Sequence, residues 1–384
     1  MWDLGSSNSG GGATLQNIFG GDCDAKGPTK YSTGFGDPKS ISYIVPLGAM
    51  ITSHVTPIDH IYVYFPNGSK GSDPLTYTVT SPAKGSVISV EDFRLTNKYP
   101  YADYRIVVAH SCDLYSVFIH VGELQGKLKE AADGAAANGG SWSGRIEVDA
   151  GEVLADESEN PGYDFSTFAT SAKTPMINPE SYAQKETWKP FTANPFDFMD
   201  STLKSAYEAK SLRTTNPIGG TIYFDKEGTA QGVWFVKGTN GYRGKGTEQA
   251  AYDNHGKVAH GYWDTHLAIA PEHVDASSFV YSIGDWEGCP CQFMSVGNIN
   301  PSTITPSATP TVIDLVEFDY VTPNGSTMDR MNPTRGYKLK PGTKVVGSIA
   351  VQVNDDGTMT VEKRPNEEAS TFSGFGPNAL TFVR

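Results

Sequence analysis

The residues of this chain best suited to chemistry are its eight histidines and four cysteines, with acids close to some of them. The histidines fall in two groups. His54, His60, His110 and His120 lie between Val45 and Leu124, and His255, His260, His266 and His273 lie in NHGKVAHGYWDTHLAIAPEHVD. Imidazole titrates near neutrality and ligates transition metals, so each group is a candidate for acid–base or metal chemistry. In the first group Asp59 stands five positions after His54 and adds an oxygen donor. In the second, His260 and His266 are an even number apart and would share one face of a continuous strand. They form a candidate second metal site, set against a plainer reading as wall residues of a buried strand beside Gly261, Tyr262 and Trp263. Cys289 and Cys291 form Cys-Pro-Cys, which suggests a redox pair or a soft-metal site. The plainer reading is a turn with one buried thiol and one partner elsewhere, since the paired CxxC spacing of zinc sites is missing. The four cysteines allow three disulfide connectivities. The chain has no GxSxG elbow, no phosphate-binding GxxxxGK[ST] and no HExxH.

The elements that would position these residues are mostly strands. Ile61 to Phe65, Thr76 to Val90 around a Pro82–Gly85 turn, Arg105 to Ala109, Ser116 to Val121 and Ile146 to Leu154 have strand composition. Alternation places Ser116, Phe118 and His120 on one face, turned to a groove, with Tyr115, Val117 and Ile119 on the other. Residues 126–144 are Ala-rich and Gly-broken and read as a helical turn or an excursion outside the core. Residues 171–192 read as a connecting arm. Asn194–Pro195 opens a helix over about 195–212, with Phe196, Met199, Leu203, Ala206 and Tyr207 at helical spacing. Strands follow: Gly220 to Phe224 and Gly232 to Lys237 around a turn, Tyr262 to Ala270, Phe279 to Ile283, Val312 to Tyr320, Lys344 to Gln352 and Thr358 to Lys363. Such a run suggests a sandwich or barrel.

The first stretch resembles the lysostaphin-type peptidoglycan metalloendopeptidases, whose fold is the duplicated hybrid motif. Ser81-Pro-Ala-Lys-Gly-Ser-Val87 resembles the family's APxDGxV turn. Ile106–His110 and Tyr115–His120 are similar to its hairpin, and Ile146–Leu154 to the strand that follows. The resemblance covers about residues 40–170. It implies a zinc site at His54, Asp59 and the last family motif, with His120 as general base. The chain departs from the pattern twice. His54 and Asp59 are one residue further apart than in the family, and the family's HxH falls on Gly162-Tyr-Asp-Phe165, which leaves Asp164 as the substitute ligand. His120, Asp59 and at least one of His54 or His60 are expected to converge in one site.

The expected fold class is mainly β. A peptidase-like sheet domain (23–170) follows a Gly/Ser linker (1–22), and the arm (171–192) leads to a β-sandwich or barrel-like domain (193–384) with one short helix. The chain of 384 residues has a formal net charge of -13, which argues against nucleic-acid partners. No apolar run is long enough to span a bilayer. The opening residues lack the basic and apolar regions of a signal peptide. The resemblance implies an extracellular or cell-envelope setting, with a cell-wall peptide, a glycan or another envelope protein as partner. The expected function is that of a degenerate, non-catalytic binding or docking module without a cofactor. The alternatives are an active zinc-dependent endopeptidase and a structural β-protein.

Overall fold

Runs of β-branched and aromatic residues broken by turns fold into two large antiparallel sheets. The computed structural model describes residues 13–66, 77–96, 100–157, 161–172, 176–246, 251–252 and 258–384. The first sheet has ten strands: β1 Tyr43–Val45, β2 Ile61–Tyr64, β3 Thr78–Thr80, β4 Gly85–Asp92, β5 Tyr104–Ser111, β6 Leu114–Leu124, β7 Ser141–Val148, β8 Val153–Glu157, β9 Gly162–Ala169 and β10 Thr192–Ala193. Its main order is β1-β2-β9-β6-β5-β4-β7, with β10 on β9 and β8 joining β3 to β6.

In the second half, β11 Gly232–Val236 is followed by a small ribbon of β12 Ala251–Tyr252 and β13 Val258–His260. Then come β14 His266–Pro271, β15 Phe279–Trp286, β16 Cys289–Ser295, β17 Thr311–Val321, β18 Lys338–Val353, β19 Met359–Pro365 and β20 Leu380–Val383. β20 pairs back onto β11, so β11 and β14–β20 form a closed barrel with no free edge. Trp234, Ile269, Tyr281, Leu315 and Ile349 are among its core residues. The chain is thus mainly β, with the second half closed as a barrel.

Both faces of the first sheet are covered. Phe118, Val108, Phe165 and Tyr163 belong to the main core, together with Phe35 and Tyr207. Tyr115, Val117, Val107 and Phe168 form a smaller layer on the other face, under Leu15, Phe19 and Trp188. Residues 1–12 of the expected linker lie outside the described residues; for 13–22 the structure corrects that reading, because α1 (Leu15–Phe19) buries Leu15 and Ile18 and stacks Phe19 on Tyr115 at 5.3 Å. Its composition hid a short amphipathic turn. A disulfide joins Cys23 to Cys112 beside it, while Cys289 and Cys291 are free thiols. The expected partner elsewhere for one of those two is therefore absent.

Two helical expectations change as well. The second helix, α2 (Phe93–Thr96), is a single turn after β4. The Ala-rich segment forms α3 (Lys129–Ala137), and Leu128, Ala131 and Ala135 are fully buried in the main core. Small side chains at this spacing allow close packing on β7, where Trp142 leaves no room for a Cβ at Gly134. The helix expected near 195–212 divides. Asn194 caps a 3-10 turn at Pro195–Phe198, Met199 is extended, and Asp200 caps α4 (Ser201–Glu208). α4 lies on the first core through Tyr207 and Leu203, and Ile222 and Tyr223 join it. Residues 220–224 form no strand, although Gly220 bridges Leu47. The packing boundary therefore falls near residue 225, later than the expected 193.

The two halves also share apolar contacts. Met50, Tyr182, Leu212 and Phe224 cluster with Phe235, Ala268 and Val316 of the barrel. The arm contributes Tyr182, whose ring lies 5.7 Å from that of Phe235.

Candidate functional site

The site is built from β2, β6, β9 and the loop before β2. Along β9, Tyr163 and Phe165 face the main core, so Asp164 points to the other side of the sheet. Asp164 is opposite Tyr62 of β2 and Ile119 of β6. Strict alternation would carry His120 with Phe118 toward the main core. A bulge prevents this: Ile106 pairs with Phe118 but Tyr104 pairs with Val121, giving β6 one extra residue. At the bulge His120 has φ +66°, a left-handed conformation that costs a non-glycine residue about 1–2 kcal/mol. The expected shared face of Ser116, Phe118 and His120 is corrected accordingly. Ser116 and Phe118 face inward, and only the bulge turns His120 outward.

The result is an alternating row of acids and imidazoles. His120 Nδ1 lies 2.9 Å from Asp103, and His120 Nε2 lies 4.0 Å from Asp164. His60 Nε2 lies 3.3 Å from the same Asp164 oxygen, and His60 Nδ1 lies 3.3 Å from Asp59. The His60–Asp164 contact is an ion pair without hydrogen-bond alignment, so this buried nitrogen makes no hydrogen bond. Asp59 is buried, and its other oxygen accepts the Trp188 indole N–H at 2.8 Å. Lys189, only 3% exposed, brings its ammonium to 3.9 Å from Asp59, 3.3 Å from Glu186 and 3.3 Å from the Pro57 carbonyl. Four carboxylates, Asp59, Asp103, Asp164 and Glu186, thus face two imidazoles and one ammonium.

This arrangement sets the protonation states. Burial opposes the charge on Asp59, but Lys189, His60 and the indole outweigh it and hold the carboxyl well below its usual range. Burial pushes the His60 ring down, and Asp164 and Asp59 more than reverse this. His120 is likewise raised, with burial overcome by the bond to Asp103 and the charge of Asp164. Asp164 is raised by burial first, with the neighbouring carboxylates adding to it. Burial lowers Lys189, but Asp59 and Glu186 keep it above its ordinary value.

His54, Asp59, Asp164 and His120 were the residues expected from sequence. Asp59 and Asp164 do meet, joined through His60, and His120 contacts Asp164 and not Asp59. His54 is exposed and meets the row only edge-on, its ring 6.4 Å from that of His60. Among the described residues no group of three or more His, Cys, Asp or Glu is placed to hold a metal ion. Asp103, Trp188 and Lys189 were not expected. A sequence signal exists for Trp188 and Lys189 alone, a lysine between aromatics in Trp188-Lys-Pro-Phe191. His110 is a buried wall residue between the Lys84 carbonyl and Ser116, and burial lowers it to about 4.

The second histidine group does not assemble. Gly261 ends β13 and a 3-10 turn at Tyr262–Thr265 precedes β14, so His260 and His266 share no strand and the parity argument fails. His260 pairs with Asp264 at 3.1 Å near the surface. His266 is buried among Phe235, Tyr242 and Tyr262, bonded to the Tyr242 carbonyl at 3.1 Å, and lowered by burial to about 3. His255 lies outside the described residues.

His120 and Asp164 open into a pocket of about 250 Å³ walled by Tyr62, Tyr64 and Tyr101. No family model and no curated protein matches the chain. Among solved structures, the binding domain of Paraclostridial Mosquitocidal Protein 1 aligns with a TM-score of 0.16 and 8% identity, over 91% of this chain and 77% of that one. A score that low carries no argument about fold or role. No described helix is long and apolar enough to cross a membrane.

Proposed function

We propose that the first half is a non-catalytic binding module of a secreted or cell-envelope protein, resembling a lysostaphin-type peptidase domain whose metal chemistry has been lost. The observation that carries this reading is the saturation of Asp59. The arm lays Trp188 and Lys189 against it, so an indole, an imidazole and a buried ammonium already occupy the carboxylate that the resemblance assigns to zinc. A fixed internal cation there competes with any metal by charge repulsion. The pocket over His120 and Asp164 stays open as a ligand surface. The Cys23–Cys112 disulfide supports an oxidising compartment. The proposed partner is a cell-wall peptide, a glycan or another envelope protein.

A second reading, a zinc-dependent hydrolase, is favoured by one feature. Asp59 and Asp103 hold the Nδ1 atoms of His60 and His120, the outer-shell arrangement common around metal-binding histidines, and both Nε2 atoms face Asp164. In that reading His60, His120 and Asp164, which are not placed to hold a metal in the present arrangement, would have to draw together around the ion, and the ion would supply an activated water. Metal analysis of protein purified without chelator separates the two readings. The expected content is far below one zinc per chain, with no cleavage of peptidoglycan peptides. Stoichiometric zinc, lost in Asp164→Ala, would overturn the binding-only reading.

A further inference from the structure

The wall of the His120 pocket is shared with a second cavity that the reading above does not use. Tyr62 and Tyr64 line both. The second cavity, about 270 Å³, lies between the sheet half and the barrel. Tyr43 and Tyr64 are direct cross-strand partners whose rings stack at 4.6 Å and 22°, and Tyr62 follows at 6.5 Å from Tyr64. The barrel supplies Tyr320 and Tyr337, edge to face at 5.1 Å, and Arg330 above Tyr320. Five phenol rings, three from the sheet half and two from the second half, thus meet around one cleft.

The polar groups at the floor are fixed. The Tyr337 hydroxyl donates to Glu272 at 2.9 Å, and His273 Nδ1 lies 2.7 Å from the same carboxylate oxygen. Glu272 also accepts the backbone N–H groups of Val274 and Asp275. Its charge is met within the protein, and among the described residues that line the cleft none is a carboxylate. Hence the cleft lining offers flat apolar surface with hydroxyl rims and one guanidinium, itself 3.6 Å from Asp319.

We propose that this cleft and the His120 pocket together bind a neutral oligosaccharide laid along the tyrosines. A pyranose ring has apolar C–H faces and a rim of hydroxyls. Phenol rings cover the first and offer hydroxyls to the second, and Arg330 adds donors. Other ligand classes fit less well. A chain carrying -13 repels a polyanion. A quaternary ammonium would meet Arg330 at the rim. An extended peptide would need a free strand edge, and that of β1 is taken: Ile44 accepts from Leu212 N–H and donates to the Lys210 carbonyl.

This inference rests on the binding-module reading for the His120 side and adds the ligand class and the barrel's share in it. The test is calorimetry with chitotetraose, cellotetraose and maltotetraose, and with pentaglycine as a peptide probe. At least one tetrasaccharide should bind at one per chain. Tyr64→Ala and Tyr320→Ala should each weaken binding about tenfold, the scale of a buried aromatic contact. Arg330→Ala, at an exposed position that leaves the fold intact, should weaken it less. Matching thermal melts show that the variants are folded. The inference is overturned if no tetrasaccharide binds at millimolar concentration, or if binding ignores Tyr320→Ala in a folded variant. Pentaglycine binding alone would also overturn it while leaving the module reading in place. Stoichiometric zinc with peptide cleavage would overturn the module reading, and saccharide binding that depends on both halves would still support the oligosaccharide.

Discussion

His60 and His266 are both imidazoles with little exposure, in the two halves of one chain, yet their environments push them in opposite directions. His266 sits among aromatic rings with a single carbonyl acceptor, and burial keeps it neutral. His60 is buried beside Asp59 and Asp164, and their charges more than offset the same penalty. Burial alone therefore says little about whether a histidine can act as an ion. What decides it is whether the fold buries a carboxylate along with it. The first half does so three times over, with Asp59, Asp103 and Asp164. The barrel does so at Glu272–His273, where the pair anchors Tyr337, and leaves His266 as a wall.

The most severe way to break this contrast is to remove the ammonium. Lys189→Ala leaves Asp59 buried beside one fewer cation. It should cost about 3–5 kcal/mol in urea unfolding, the usual penalty for splitting a buried pair. Asp59→Asn combined with Lys189→Met should recover part of that loss. If Lys189→Ala costs under about 1 kcal/mol, the ammonium does not balance the row.

Protonation gives the next largest effect, and its sign differs between the two kinds of histidine. His60 and His120 have raised folded values, so their stabilisation is complete below the ordinary 6.5 and is lost as pH climbs through the folded values. His110 and His266 are depressed to about 4 and about 3. Their contribution is present above 6.5 and is lost as pH falls toward those values. Ring titration by NMR should separate the two sets. Asp164→Asn should lower both His60 and His120, Asp103→Asn only His120, and Asp59→Asn only His60. A His120 ring that follows Asp59 but not Asp103 would contradict the geometry.

The smallest effect is expected at the surface of the second group. His260 is half exposed and pairs with Asp264, so His260→Ala should change stability by no more than about 0.5 kcal/mol. A larger loss, or metal that binds there in the wild type and is lost in this variant, would revive the second site.

Much of the strand framework was legible because hydrophobic patterning and turn residues carry it. The hairpin of β5 and β6, β2, and most barrel strands lie where composition placed them. What was not legible depends on single local events. The aim of His120 comes from one extra residue in β6, and alternation cannot reveal a bulge. His60 outranks His54 because His54 closes an exposed turn back onto Ile51, whereas His60 directly precedes β2, and spacing alone does not tell the two apart. Lys189 reaches Asp59 across 130 positions of sequence, and no local pattern encodes such a meeting. The burial of α3 was missed because alanine signals packing only when its facing partner, here Trp142, is known.

The Cys23–Cys112 bond has a consequence for how the centre comes together. It closes a covalent ring over a separation of 89 residues, and His54, Asp59 and His60 lie on that ring, as does Asp103. His120, Asp164 and Lys189 lie outside it. In the oxidised chain the first set is already confined to a small volume before any strand has formed, worth about 4–5 kcal/mol of chain entropy. The outer set must still be gathered by ordinary loop closure. The same polypeptide held reduced starts from a wider ensemble, so the redox state of its surroundings helps set how readily the row of acids and imidazoles assembles.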